Sequence, residues 1–251
     1  MFKYFLKREI KESYIGNLTG FYWVLIQPVL TLIIYTIVFE KIFKTRVPEA
    51  EKIGFIVYLA IGFWPWIAFS EAILKSITAI TNKKDLIGKI KINLKDVVFA
   101  TVTATFIINV IGYFLVLLLL ILVGKEFNYS GIPLLIFPIL QMYLFALALG
   151  LILSALQVFI RDTMHLMTTL ITLWFFSTPI IYSESIMPES IKYYMQFNPI
   201  YTPITFIHNA ILSHKPLPWL EMGVLSIFIL ILLYLANKMF SKLAPNFEDY
   251  I

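Results

Sequence analysis

The sequence is dominated by long apolar runs whose middles carry no charge, and such runs leave a chain few ways to fold. They cover residues 21–43, 53–74, 97–123, 132–159, 166–182 and 220–240. Crossing roughly 30 Å of hydrocarbon takes about 20 apolar residues as a helix. Lipid offers no partner to a free peptide group, so a run of that kind is expected to satisfy its own hydrogen bonds as an α-helix. Hydrophobic residues make up 60% of the 251, against roughly 45–50% in ordinary soluble domains. The expectation is one all-α, polytopic membrane domain, residues 1–251, with about six transmembrane helices.

Two segments between the runs have their own pattern. Residues 2–14 place Phe2, Phe5, Leu6 and Ile10 on one side and Lys3, Lys7 and Lys11 on another. This predicts an amphipathic helix lying in the membrane interface, with a solvated leader as the alternative. That stretch has no apolar core and no small-residue cleavage site, so the first span is expected to act as its own insertion signal. Residues 186–218 carry Pro188, Pro199, Pro203, Pro216 and Pro218, too many interruptions for one crossing. Two short re-entrant helices on the extracytoplasmic side fit better. The formal net charge is +5, and most of the Lys and Arg collect on one side of the spans when the N-terminus is set in the cytoplasm. The positive-inside rule then predicts both termini inside, and no nucleic-acid role is needed to explain the charge.

Several chemistries are excluded. There is no cysteine, so disulfides, thiol catalysis and thiolate metal sites are absent. Glu71, Asp162 and Glu221 fall near predicted span ends, leaving Asn109 and Gln141 as neutral polar groups in span middles. An ion-coupled transporter usually buries ionisable groups there. His165, His208 and His214 lack ligand spacing, so neither a metal site nor an acid–base cluster is expected. Gly88-Lys89 is followed by Ile90 and Gly124-Lys125 by Glu126, so neither is a phosphate loop. If transport is active, ATP and Mg²⁺ are bound by a separate partner, and this chain holds no cofactor of its own.

The loop at residues 76–92 mixes lysines with Ile77, Ile80, Leu86, Ile87, Ile90 and Ile92. It reads as a short amphipathic helix that docks into a partner's groove, or as a polybasic loop facing lipid headgroups.

The order of motifs along the chain resembles the transmembrane subunit of type-2 ABC exporters, in the O-antigen polysaccharide exporter (Wzm) group. The resemblance runs nearly end to end. It is carried by LKREIKESYIGNLTGFYWVLIQPVLTLIIYTIVF with Tyr14, Gly16, Trp23 and Pro28, by GFWPWIAFSEA from Gly62 to Ala72, and by NKKDLIGKIK from Asn82 to Lys91. Arg161-Asp162, FFSTPIIYSESIMPES from Phe175 to Ser190, and Asn198-Pro199 continue it. Asn93 stands where such proteins often carry Pro, and His208 where Arg is common.

The resemblance implies a homodimer in the inner membrane that binds two ABC ATPase subunits and exports an undecaprenyl-linked polysaccharide. It places ATPase coupling at Thr81, Asn82, Lys83, Lys84, Asp85 and Leu86, with Arg161 and Asp162 either assisting or forming a local ion pair. Teichoic-acid or capsular-polysaccharide export uses the same architecture. Two rivals come from different classes: an ATP-independent lipid flippase or channel, and a membrane glycosyltransferase or acyltransferase.

Aromatic residues are 16% of the chain. Rings with an apolar body and a polar tip suit the C–H faces and hydroxyls of a sliding glycan. Tyr35, Phe39, Tyr58, Trp174, Phe175 and Phe176 are therefore candidates to line a channel, the alternative being packing against neighbours or lipid. Pro65 and Pro179 are expected to bend or break their spans. Tyr193, Tyr194, Asn198 and Pro199 are candidates for an outer gate, the alternative being an ordinary kink beside a surface loop.

Overall fold

A computed structural model describes residues 1–12, 20–45, 47–51, 53–86, 93–125, 127–212 and 215–250, without the side chains of 20–25, 85 and 86. All regular structure among these residues is helical. The helices are α1 (Phe2–Ile10), α2 (Gly20–Tyr35), α3 (Phe55–Ile77), α4 (Leu94–Leu122), α5 (Ile136–Phe159), α6 (Thr163–Phe176), α7 (Glu189–Met195), α8 (Tyr201–Leu212) and α9 (Trp219–Leu243).

Four helical segments among the described residues, at 55–77, 94–122, 129–159 and 219–249, are long and apolar enough to cross a membrane. Helix α2 runs on through a π-helical turn, Thr36–Ile42, in which Phe43 N–H reaches back to the Val38 carbonyl at 2.9 Å. Helix α6 ends at Phe176, short of the expected 166–182. At about 1.5 Å per residue it falls well below the bilayer core. The chain turns at Ser177 and Thr178, and Pro179 follows without a backbone N–H to continue the ladder. In residues 186–218 two short helices form, α7 and α8, with 213 and 214 outside the described residues.

Helix α3 is the central post. In its most apolar stretch 78% of residues are buried, against 33% for α4 and 22% for the 219–249 segment, so those two turn much of their surface outward. Close approach to α3 is set by small residues. A Cβ on Gly62 would lie 2.8 Å from His208 Nε2, and one on Gly150 of α5 would lie 2.9 Å from Ser76 Oγ.

Pro65 does not break α3, which continues unbroken on both sides of it. A proline at this position cannot donate to the carbonyl four residues earlier, that of Ile61. The fully buried Tyr113 of α4 donates its hydroxyl to that same carbonyl at 3.1 Å. A neighbouring helix has satisfied the freed group, as membrane interiors require.

Helix α1 packs on the start of α4. Phe5 is buried against Ala79, Val97 and Ala100, with Phe2 and Leu6 beside it. Its apolar face therefore meets protein; residues 13 and 14 of the expected helix lie outside the described residues. Across the bundle, Gln141 Nε2 donates to the Met222 carbonyl and the Ser226 hydroxyl, both at 2.6 Å. That pins α5 to α9.

Candidate groove and its flanking contacts

One stripe of α3 repeats at helical spacing: Phe63, Trp66 and Ile67, Ser70 and Glu71, Leu74 and Lys75. Residues three and four apart share a helix face, and this face forms one wall of a groove of about 640 Å³. Helix α2 contributes Gln27, Pro28, Thr31 and Tyr35, α4 contributes Asn109, and α6 contributes Ile171, Thr172, Phe175 and Phe176. The volume lies within the roughly 300–1,000 Å³ usual for ligand sites.

The groove has two chemically distinct ends. At one, Tyr35 stacks on Phe175 with ring centroids 5.7 Å apart and meets the edge of Phe63 at 5.6 Å. Phe63 and Trp66 each lie 5.8 Å from Phe175. At the other, Glu71 Oε1 is 2.7 Å from Lys75 Nζ, and Glu71 Oε2 accepts from Asn109 Nδ2 at 2.7 Å. Asn109 also donates to the Thr105 carbonyl. Glu71 is not at the end of a span: α3 runs to Ile77, nearly two turns further. The apolar run stops at Leu74, and a boundary set by that run comes too early. Asp162 and Glu221 do sit in the first turns of their helices. The signal for Glu71 is the i, i+4 Glu–Lys spacing on a helix.

A second cavity of about 460 Å³ lies beneath α1 and shares Lys75 with the groove. Arg8, Glu9, Glu12, Asn82, Lys83 and Thr101 are among the residues that line it. Lys83, 11% exposed, is 3.0 Å from Glu9 Oε1 and 3.8 Å from Glu12 Oε2. Arg8 Nε donates to Glu12 at 2.6 Å. That hydrogen bond holds the Glu12 carboxyl below its ordinary range, against the opposing cost of burial.

Among the coupling candidates, Thr81–Leu86 forms a 3-10 turn whose Asn82 and Lys84 are exposed. Lys83 is instead occupied by α1. The side chains of Asp85 and Leu86, and the rest of the loop at 87–92, lie outside the described residues. Arg161 and Asp162 are exposed in the turn between α5 and α6, and neither belongs to an ion pair among the described residues. Ile80, Val158 and Phe159 share one apolar cluster, so both turns leave the same end of the molecule.

The six aromatic candidates separate. Tyr35, Phe175 and Phe176 line the groove, and Phe39 touches it through the edge of Tyr35 at 6.1 Å. Tyr58 is buried elsewhere: it stacks on His208 at 4.3 Å and donates to the Tyr182 carbonyl at 3.1 Å. Trp174 turns toward the α7–α8 connection, where its Nε1 donates to Asn198 Oδ1 at 2.7 Å. Asn198 in turn donates to the Ser177 carbonyl and the Thr178 hydroxyl. Trp174, Tyr194, Asn198 and Pro199 share a separate cavity of about 400 Å³, while Tyr193 is exposed and packs on Tyr194 and Phe197.

The profile of the ABC-2 type transporter family matches residues 1–212. Similar proteins include the O-antigen export system permease protein RfbA of Myxococcus xanthus, 29% identical over 98% of this chain and 93% of the relative. A protein of the same name from Klebsiella pneumoniae is 25% identical over 97% of this chain and 92% of its own length. The polysialic acid transport protein KpsM of Escherichia coli is 21% identical, covering 93% and 89%.

Proposed function

This chain belongs to the ABC-2 type transporter family, and from that premise we propose that it is the membrane-spanning permease subunit of an ATP-driven exporter of lipid-linked polysaccharide, of the O-antigen kind. What carries this reading is the nearly end-to-end likeness to permeases named for O-antigen export. The groove supports it chemically, since its ring wall offers faces to sugar C–H surfaces and its other end offers hydroxyl, amide and carboxylate groups.

In the working form two copies pair in the inner membrane, each crossing six times, with both termini in the cytoplasm. Two ATPase subunits bind beneath, at the end that carries Asn82, Lys84, Arg161 and Asp162. The ATPase subunits bind ATP and Mg²⁺; this chain supplies the passage. Tyr193, Tyr194, Asn198 and Pro199 guard the opposite mouth. Capsular export is the second reading, favoured by the more distant likeness to the polysialic acid transport protein.

Reconstitution into proteoliposomes with an ABC ATPase from the same genetic locus tests the proposal. ATP-dependent movement of an undecaprenyl-linked glycan is the expected result. Uphill transport by the purified chain alone would overturn it.

A further inference from the structure

The two charges in the groove neutralise one another. Among the described residues, Glu71 and Lys75 are the only charged groups in its lining, and they sit 2.7 Å apart. Charge inside a membrane protein is costly, and where it persists it marks a site by default. Here it stands at the polar end of a groove whose other end is four packed rings.

What such a site binds follows from its donors and acceptors. Lys75 donates to one Glu71 oxygen and Asn109 to the other, and a carboxylate oxygen accepts about two hydrogen bonds. Both Glu71 and Lys75 remain about one-third exposed, so the carboxylate keeps lone pairs that open into the groove. A neutral ring bearing hydroxyls can donate to Glu71 while Ser70 and Thr172, both lining residues, take further hydroxyls and the aromatic wall takes its C–H face. An anionic ring meets a carboxylate and no uncompensated cation, because Lys75 is committed to Glu71.

We propose that Glu71, held by Lys75 and Asn109, is a hydroxyl-binding station in the groove that selects neutral glycans over polyanionic ones. This rests on the export function proposed above and adds a substrate class to it. The competing role for the same residues is an electrostatic clamp joining α3 to α4.

The test uses the complete complex with its ATPase in proteoliposomes, supplied with a neutral lipid-linked glycan or with a lipid-linked polysialyl chain. The wild type is expected to export the neutral glycan and discriminate against the anionic one. Glu71→Gln should lower neutral export about tenfold, the loss of one charge-assisted hydrogen bond. It should also raise anionic export, because Lys75 is then unneutralised, and so reverse the preference. The doubly neutral variant Glu71→Gln/Lys75→Gln keeps the groove's net charge. It should lose neutral export about tenfold with no gain of anionic export, and it serves where the single variant fails to assemble.

A clamp predicts equal loss for both glycans in Glu71→Gln, and recovery in the double variant; either result overturns the station. So does a wild-type complex that exports both glycans alike, which leaves the export function standing. A wild-type complex that moves neither glycan overturns the export function and the station with it.

Discussion

Helix α3 is two different objects along its length. From Phe55 to about Pro65 it is welded to its neighbours: Tyr58 is stacked under His208, Gly62 is tight against the same ring, and the Ile61 carbonyl is closed by Tyr113. From Trp66 to Lys75 one face of the same helix opens onto the groove, and its polar groups stay partly exposed. A conduit for a moving chain requires both. The post fixes where the groove is, and the open face keeps contacts weak enough to be remade. Substitutions in the first half should cost stability without altering substrate preference, while Glu71→Gln should do the reverse.

The largest expected effect is at Gly62. Gly62→Leu drives a side chain into His208 Nε2, which already lies 2.8 Å from an ideal Cβ, and overpacking of this kind costs about 3 kcal/mol. Thermal unfolding in detergent should show a clear loss, and His208→Ala in the same chain should return part of it. Unchanged unfolding would mean that the two halves of α3 do not differ.

Tyr113→Phe comes next. It strands the Ile61 carbonyl that Pro65 has already deprived of its helix partner, at about 1–2 kcal/mol, the upper range for polar contacts between membrane helices. Restoring a backbone donor with Pro65→Ala should make the hydroxyl dispensable. A double variant that loses as much as the two single variants added together would break the pairing of Pro65 with Tyr113.

These positions also mark what is legible in the sequence. The apolar runs give the helical class and nearly all helix centres, because lipid admits so little else. Pro65 suggests a break because the donor that rescues its helix comes from Tyr113, nearly fifty residues away, and no local pattern announces it. Glu71 looks like a span end because the run of apolar residues stops at Leu74, although the helix itself continues to Ile77. Chemistry alone nominates the aromatic candidates. Which of them share a wall depends on helix rotation, so Tyr35 and Phe175 meet while Tyr58 faces away. Lys83 belongs to the docking loop by its place in the chain, yet its partners Glu9 and Glu12 lie in the N-terminal segment of α1 and the residues just after it.

That last contact sharpens the comparison at the groove's neighbouring cavity. Lys83→Glu turns two attractions into repulsions and should loosen α1 from α4 by about 1 kcal/mol. Protease cleavage of the first 12 residues would report it, and Lys84→Glu, on an exposed side chain, should leave cleavage unchanged. The Glu12 carboxyl has a folded pKa below its ordinary 4.5, so its stabilising part is complete above that value and fades as pH falls through the lowered one. Cleavage should therefore rise on acidification and stay flat from about pH 6 to 8. Equal cleavage of both Lys variants would place Lys83 in the docking surface after all.

The smallest effect is expected at Trp174, where α6 leaves the groove for the opposite mouth. Trp174→Phe keeps the ring contacts with Phe69 and Phe145 but removes the hydrogen bond to Asn198, worth about 0.6 kcal/mol between membrane helices. Asn198 retains its bonds to Ser177, Thr178 and the Ile200 N–H, so the connection should hold and the unfolding temperature should barely move. If this hinge sets how α7 and α8 sit over the mouth, export should slow in Trp174→Phe with the preference for neutral glycan intact. Asn198→Ala, which removes every one of those bonds, should slow it further. A changed preference in either variant would mean that selection extends beyond the groove face of α3 into the α7–α8 connection.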